Sequence, residues 1–179
     1  MIRTTGTLAF FFLLLFTAAH AQERPPRDPH IRSLCPELAG AIAAGVSGSD
    51  TFRDLIAHIE TSDVVAYLVQ HRSPSAAVAA HVSFISTAGG RRYVYVVIDP
   101  RYAGCRLIAL LGHELQHVVE IGDEPSVVDE GSLAAFYRRV GFSAGRREAE
   151  DFDSQKAIDT GQRVMREMLA PGSPATRAQ

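Results

Sequence analysis

The sequence predicts an α+β fold, in which helices precede a short antiparallel β-meander and a buried helix and C-terminal helices follow it. Three runs rich in β-branched and aromatic residues, over residues 64–69, 79–87 and 92–98, predict the strands of the meander. Apolar residues at helical spacing cover most sides of the segment 106–121, which indicates a helix buried over most of its surface. Together these patterns indicate a small sheet packed with helices around one core.

Two short helices are predicted before the sheet. Pro36 opens an Ala-rich helix over residues 36–44, and Gly45 and Gly48 are expected to end it. Ser49-Asp50 offers the cap of the second helix, in which apolar residues recur at spacings of three and four.

Further helices are predicted after the sheet. Gly122 is expected to stop the buried helix. Asp129 can cap a helix over residues 130–140, which Gly141 would end, and an amphipathic repeat over residues 157–168 predicts the last helix.

The first 21 residues have the pattern of a signal peptide. Arg3 provides a positive charge, residues 8–16 form an unbroken apolar run, and Ala19-His20-Ala21 has the small-x-small form of a cleavage site. The apolar run is too short to span a membrane, and the polar segment 22–29 follows it directly. We therefore expect export to the periplasm or the extracellular space, with no stable membrane anchor once the signal is removed.

The remaining chain is long enough for one domain, predicted over residues 22–170, with a disordered tail over residues 171–179. The formal net charge is -2, and basic pairs such as Arg91-Arg92 are expected to be solvated, so nucleic acid is not an expected partner. Cys35 and Cys105 are either a disulfide, which an oxidising compartment permits, or two buried free thiols. The sequence carries no indication of an oligomeric state.

The segment His113-Glu114-Leu115-Gln116-His117 lies within the predicted buried helix. Four residues separate the two histidines, so their imidazoles project from one face, where two neutral nitrogens can share one zinc ion. Glu114 is placed to reach a water on the metal without binding the metal itself, and it is the candidate general base. A nearly all-apolar helix has little reason to carry these polar residues in one turn except for a site.

This segment resembles the active-site helix of the zincin metallopeptidases, and the specific match covers residues 107–122. The resemblance implies a minimal zincin-like fold in which His113 and His117 bind Zn²⁺ and Glu114 is catalytic. It also implies peptide-bond hydrolysis, with a peptide or protein as the substrate. Three alternatives remain open: a catalytically silent zinc-binding or regulatory module, a hydrolase of a non-peptide amide, and an accidental motif.

The resemblance also implies a third protein ligand, and here the match is weaker. In one branch of the family this ligand lies six residues past the second histidine, where Asp123 stands, but Glu120 occupies the position of the expected glycine. In the branch with a glutamate ligand, the third group comes from a later helix. We favour Asp153 next to apolar Phe152, and the other candidates are Glu130, Glu148, Glu150 and Asp151, of which Glu150 and Glu130 are the preferred alternatives.

Glu120 is expected to contact His117 from outside the metal site, because it lies one turn beyond the metal. This class of site usually needs an additional group to stabilise an oxyanion. The candidates are Tyr137, His71, Tyr102 and Arg138, and no pattern selects among them. His58 and His81 are expected to have no function.

Overall fold

A computed structural model describes residues 28–73, 78–143 and 152–170. These residues contain five helices and a four-stranded mixed sheet, so the predicted α+β class is confirmed. The predicted signal peptide over residues 1–21 and the predicted tail over residues 171–179 lie outside the described part of the chain. None of the helices within that part is long and apolar enough to cross a membrane.

The sheet consists of β1 (Ile31–Ser33), β2 (Val64–Gln70), β3 (Ala80–Ala88) and β4 (Arg91–Ile98). The strand order is β1-β2-β4-β3. Strands β1 and β4 are both parallel to β2, whereas β3 and β4 form an antiparallel pair. The prediction of an antiparallel three-stranded meander is therefore wrong, because β2 and β3 are not neighbours.

Burial explains this order. Val94, Val96 and Ile98 of β4 are fully buried, and β2 is buried along most of its length. Strand β3 is largely accessible, with Ser86 and Thr87 exposed near its end. The sheet therefore places its two most apolar long strands side by side and leaves the more polar strand at the edge, which sequence adjacency alone does not reveal.

The helices are α1 (Pro36–Gly48), α2 (Asp50–Thr61), α3 (Gly104–Asp123), α4 (Glu130–Val140) and α5 (Gln155–Leu169). The predicted caps are present: the side chains of Ser49 and Asp129 accept hydrogen bonds from the first turns of α2 and α4. The expected stop at Gly45 is wrong. This glycine lies inside α1, where a Cβ atom would stand 2.8 Å from the ring of Phe52. Gly122 likewise lies inside α3, which ends one residue later.

Among the described residues, buried apolar side chains from the sheet and the helices form one cluster. Helix α3 lies within it, in contact with β2, β3 and β4, and packs most extensively against α5. Cys35 and Cys105 both carry free thiols and pack against this cluster. Of the two alternatives for these cysteines, the structure therefore has the free thiols.

The side chain of Arg92 is only 4% exposed, so the expectation that the Arg91-Arg92 pair is solvated is wrong for Arg92. The guanidinium donates to both carboxylate oxygens of Asp63, at 2.6 and 2.8 Å. It also reaches the carbonyl oxygens of Ile121 and Glu124, both at 2.7 Å, at the C-terminal end of α3. A cation from β4 thus satisfies carbonyls that a helix end leaves unpaired, and it ties α3 to the sheet.

Candidate metal centre

Helix α3 carries the polar segment predicted from the sequence. The side chains of His113 and His117 lie one turn apart and are 21% and 7% exposed, so a solvent path to the pair exists on the His113 side. Glu114 is almost completely buried beside them. The helical spacing that the sequence indicates therefore places two imidazoles and one carboxyl group in a mostly dry environment.

Asp153 reaches these histidines from a different part of the chain. It ends β6 (Phe152–Asp153), which pairs antiparallel with β5 (Phe142–Ser143), and it lies two residues before the start of α5. Its Oδ1 atom lies 3.3 Å from Nε2 of His113 and 3.6 Å from Nε2 of His117. One donor atom from each of these three residues lies within 4.8 Å of the others, so the group can hold a metal ion.

The other third-ligand candidates lie elsewhere or are not described. Asp123 pairs with His58, at 2.9 Å between Oδ1 and Nε2. Glu130 accepts a hydrogen bond from the backbone N–H of Phe84 on β3. Glu148, Glu150 and Asp151 lie outside the described residues. Within the residues that the structure describes, His113, His117 and Asp153 form the group whose donor atoms converge.

The second ring nitrogen of His117 is held from outside the group. Its Nδ1 atom lies 2.9 Å from Oε2 of Glu120, so the expected contact between these residues is confirmed. The hydroxyl of Tyr137 lies 2.9 Å from the same nitrogen and donates to Glu120 at 3.3 Å. A proton on Nδ1 makes Nε2, which faces Asp153, the ring nitrogen available to a metal ion, and this is the tautomer that metal binding requires.

Glu120 also connects α3 to the start of α5. Its Oε1 atom accepts a 2.7 Å hydrogen bond from the hydroxyl of Ser154. Ser154 is the N-cap of α5 and also accepts from the backbone N–H of Ala157. The same carboxylate therefore positions His117 and anchors the residue next to Asp153. Ser154 is not among the residues predicted from the sequence, although a serine directly before an amphipathic helix is a recognisable cap.

Ionisation states follow from these contacts. Burial opposes a charge on His117, but hydrogen bonds with Asp153 and Glu120 outweigh it and raise its pKa to about 9. Burial alone would raise the pKa of Asp153, yet hydrogen bonds from His113 and His117 hold it well below its ordinary value. Burial raises the pKa of Glu114, and the neighbouring histidines offset only part of this effect. The group thus combines an ionised carboxylate with a buried carboxyl group of higher pKa.

The remaining candidates for oxyanion stabilisation are dispersed. Tyr102 lines a groove beside His113. His71 is exposed directly after β2, and Arg138 is exposed on α4. Tyr137 is buried against His117 and Glu120. Tyr102 is therefore the candidate that lies in a solvent-accessible space next to the histidines.

Glycines allow the ligand-bearing elements to approach. A Cβ atom at Gly161 on α5 would stand 3.1 Å from Cβ of His113, and one at Gly112 would stand 2.8 Å from the side chain of Val164. At Gly141 it would stand 2.7 Å from the backbone oxygen of Asp153. Small residues thus set the separation of α3, α5 and the short β5–β6 pair.

Comparison with known proteins finds no relative. No family model matches the chain, and neither a curated protein nor a solved structure matches it. The geometry of the site is therefore the basis for inferring a function.

Proposed function

We propose that this protein is an exported zinc-dependent hydrolase of the zincin type that cleaves peptide bonds. The observation that carries the proposal is the convergence of His113, His117 and Asp153 beside the buried carboxyl group of Glu114. Two imidazole nitrogens and one carboxylate oxygen are a common ligand set for catalytic zinc, which keeps a further coordination position open.

The spacing of the donor atoms supports zinc. Zinc binds nitrogen and carboxylate oxygen at about 2.0–2.2 Å in tetrahedral sites, so its ligand atoms are about 3.3–3.6 Å apart. The distances from Asp153 Oδ1 to the two Nε2 atoms are 3.3 and 3.6 Å. Two of the three donor-to-donor distances therefore match those of a zinc site, and all three donor atoms lie within 4.8 Å of one another.

Zinc in such a site lowers the pKa of a water molecule towards neutrality and polarises a carbonyl group. Glu114 follows His113 on the same helix turn and has no other described partner that would occupy its carboxyl group. It acts as the general base that takes a proton from water and later returns a proton to the leaving amine. Glu120 and Tyr137 hold His117 in the required orientation.

Metal analysis of the purified mature chain tests the ligand set. We expect about one zinc ion per chain in the wild type, and loss of that zinc in His117→Ala and Asp153→Ala. Asp123→Ala is the matched control, because this aspartate is bonded to His58, and we expect it to retain zinc. Equal zinc contents in Asp153→Ala and Asp123→Ala would contradict the assignment of the third ligand.

Hydrolysis of a mixed peptide library tests the reaction. We expect the wild type to cleave it, and Glu114→Gln to keep its zinc while its rate falls by about 100-fold to 10,000-fold. If both proteins bind stoichiometric zinc and neither cleaves the library, the hydrolase proposal is wrong and the protein is a zinc-binding or regulatory module. Cleavage of non-peptide amides alone would reassign the substrate class.

A further inference from the structure

We propose that the groove between α3 and α5 binds the C-terminal residues of a peptide substrate, and that Arg106 and Arg166 bind its free terminal carboxylate. The protein is then a peptidase that removes short fragments from the C-terminus of peptides with apolar ends. This inference rests on the proposed zinc hydrolase, and it adds the substrate class.

The groove is placed to serve the candidate metal centre. It has a volume of about 700 Å³ and is lined on one side by α3, including His113, and on the other by α5. Clefts of this size accommodate small organic ligands or a few residues of a peptide. A substrate in the groove therefore lies next to one of the zinc-binding residues.

Most of the surface that lines the groove is apolar. Its apolar side chains come from both helices and are Ala109, Leu110, Ile158 and Met165, while Gly161 leaves additional space. Because burial of apolar surface drives association, such a lining favours apolar substrate side chains. Charged peptide side chains gain little there.

The charges that line the groove have one sign. Arg106 on α3 and Arg166 on α5 both line it, and among the described residues that line it none is acidic. Within the described part of the chain, neither guanidinium has a hydrogen bond or an ion pair. A guanidinium binds a carboxylate through two parallel hydrogen bonds, so a terminal carboxylate is the complementary partner.

The position of Arg106 indicates the length of the bound fragment. It lies seven residues before His113 on α3, which is almost two full turns, so both residues are on nearly the same face. The axial separation is about 10 Å, whereas an extended peptide advances about 3.3 Å per residue. Because helical side chains lean towards the helix N-terminus, away from His113, the fragment beyond the cleaved bond is about three to four residues long.

Peptide binding provides a test that does not depend on turnover. The zinc-loaded Glu114→Gln protein is titrated with the tripeptide Ala-Leu-Leu, either as the free acid or as the C-terminal amide. We expect the free acid to bind about 10-fold to 100-fold more tightly than the amide, because charge-assisted hydrogen bonds to guanidinium are lost in the amide. Equal affinities overturn the proposal.

Substitutions on the same protein locate the carboxylate site. Adding Arg106→Gln or Arg166→Gln is expected to reduce the preference for the free acid, and adding both is expected to abolish it. Arg163→Gln is the matched control on α5, because Arg163 lines a different cavity, and it should leave the preference unchanged. An undiminished preference in the double variant overturns the proposal.

The cleavage pattern completes the test. Wild-type enzyme is incubated with longer Leu-terminated peptides, as acids and as amides, and the products are identified by mass spectrometry. Release of short C-terminal fragments from the acids alone is expected. Cleavage at internal bonds regardless of the terminus contradicts the proposal, whereas acid-selective binding without any cleavage contradicts the hydrolase and retains the carboxylate site.

Discussion

Single residues outside the metal ligands determine how the imidazole of His117 is presented. Oε2 of Glu120 lies 2.9 Å from Nδ1, and Oε1 of the same residue accepts from Ser154 next to Asp153. The hydrogen bonds to His117 and Ser154 overcome the effect of burial and hold the pKa of Glu120 below its ordinary value. An ionised Glu120 therefore keeps Nδ1 protonated and Nε2 available.

We expect Glu120→Gln to bind zinc about 10-fold to 100-fold more weakly, because the amide keeps the shape of the side chain but loses its charge. Competition with a chromophoric chelator measures this affinity. Glu124→Gln is the control, since Glu124 bonds with Ser126 and Arg139 away from the site. An unchanged zinc affinity in Glu120→Gln would show that the charge of Glu120 does not contribute to zinc binding.

At the scale of elements, the C-terminal end of α4 determines where Asp153 lies. A Cβ atom at Gly141 would stand 2.7 Å from the backbone oxygen of Asp153 and 2.8 Å from that of Tyr137. Both obstacles are backbone atoms, so a side chain at this position forces the β5–β6 pair away from α4. The position of Asp153 thus depends on Gly141, because only a glycine lets the β5–β6 pair approach α4 this closely.

Gly141→Ala is expected to destabilise the fold by about 1–3 kcal/mol and to lower the zinc content, because overpacking displaces Asp153. Thermal unfolding and metal analysis measure the two effects. Gly40→Ala is the matched control on α1: a Cβ atom there meets nothing within 4 Å, and we expect it to stabilise the protein by about 0.5–1 kcal/mol. Full zinc content in Gly141→Ala would show that the site tolerates the displacement.

The junction between α3 and the sheet depends on Arg92. Arg92→Met keeps an apolar stem but leaves the carbonyls of Ile121 and Glu124 without their charged donor, so we expect a loss of about 3 kcal/mol. Urea denaturation measures it. Within the described residues, the side chain of Arg91 on the same strand contacts only His30, and we expect Arg91→Met to cost much less. Similar losses in the two variants would contradict this role of Arg92.

The stability of the whole molecule at low pH depends partly on Asp99, which lies between β4 and α3. Its side chain is fully buried and accepts hydrogen bonds from the guanidinium and backbone of Arg101 and from the backbone of Ser73. The hydrogen bond from the guanidinium is the main cause that holds its pKa far below the ordinary value of 3.8. Its stabilising contribution is therefore complete above about pH 4 and is lost as the pH falls towards the folded-state pKa.

We expect the difference in free energy of unfolding between the wild type and Asp99→Asn to be largest near neutral pH and to shrink steadily below about pH 4. Urea denaturation at a series of pH values measures this difference. An Asp28→Asn variant, changed at an exposed aspartate, should track the wild type at all of these pH values. If the difference in free energy of unfolding stays constant down to about pH 2, the contribution of Asp99 depends on the shape of its side chain and not on its charge.

Local patterns accounted for the parts of the molecule whose interactions are local. The caps at Ser49 and Asp129, the bounds of α4 and the placement of His113, Glu114 and His117 on one helix all follow from contacts over three or four residues. The same reasoning failed at Gly45 and Gly122. At Gly45 the ring of Phe52 leaves no room for a Cβ atom, and at Gly122 a Cβ atom would stand 3.3 Å from that of Ser62. In both places the helix continues through the glycine.

The sequence by itself determined the α+β class and the two histidines that share a helix face, since helical periodicity repeats within a few residues. The tertiary structure alone decided the strand order, which depends on how deeply β4 and β3 are buried. It also decided which carboxylate meets the histidines: Asp153 arrives through the β5–β6 pair and the cap of α5, and Asp123 turns instead to His58. Such contacts join residues far apart in the chain, and no local spacing encodes them.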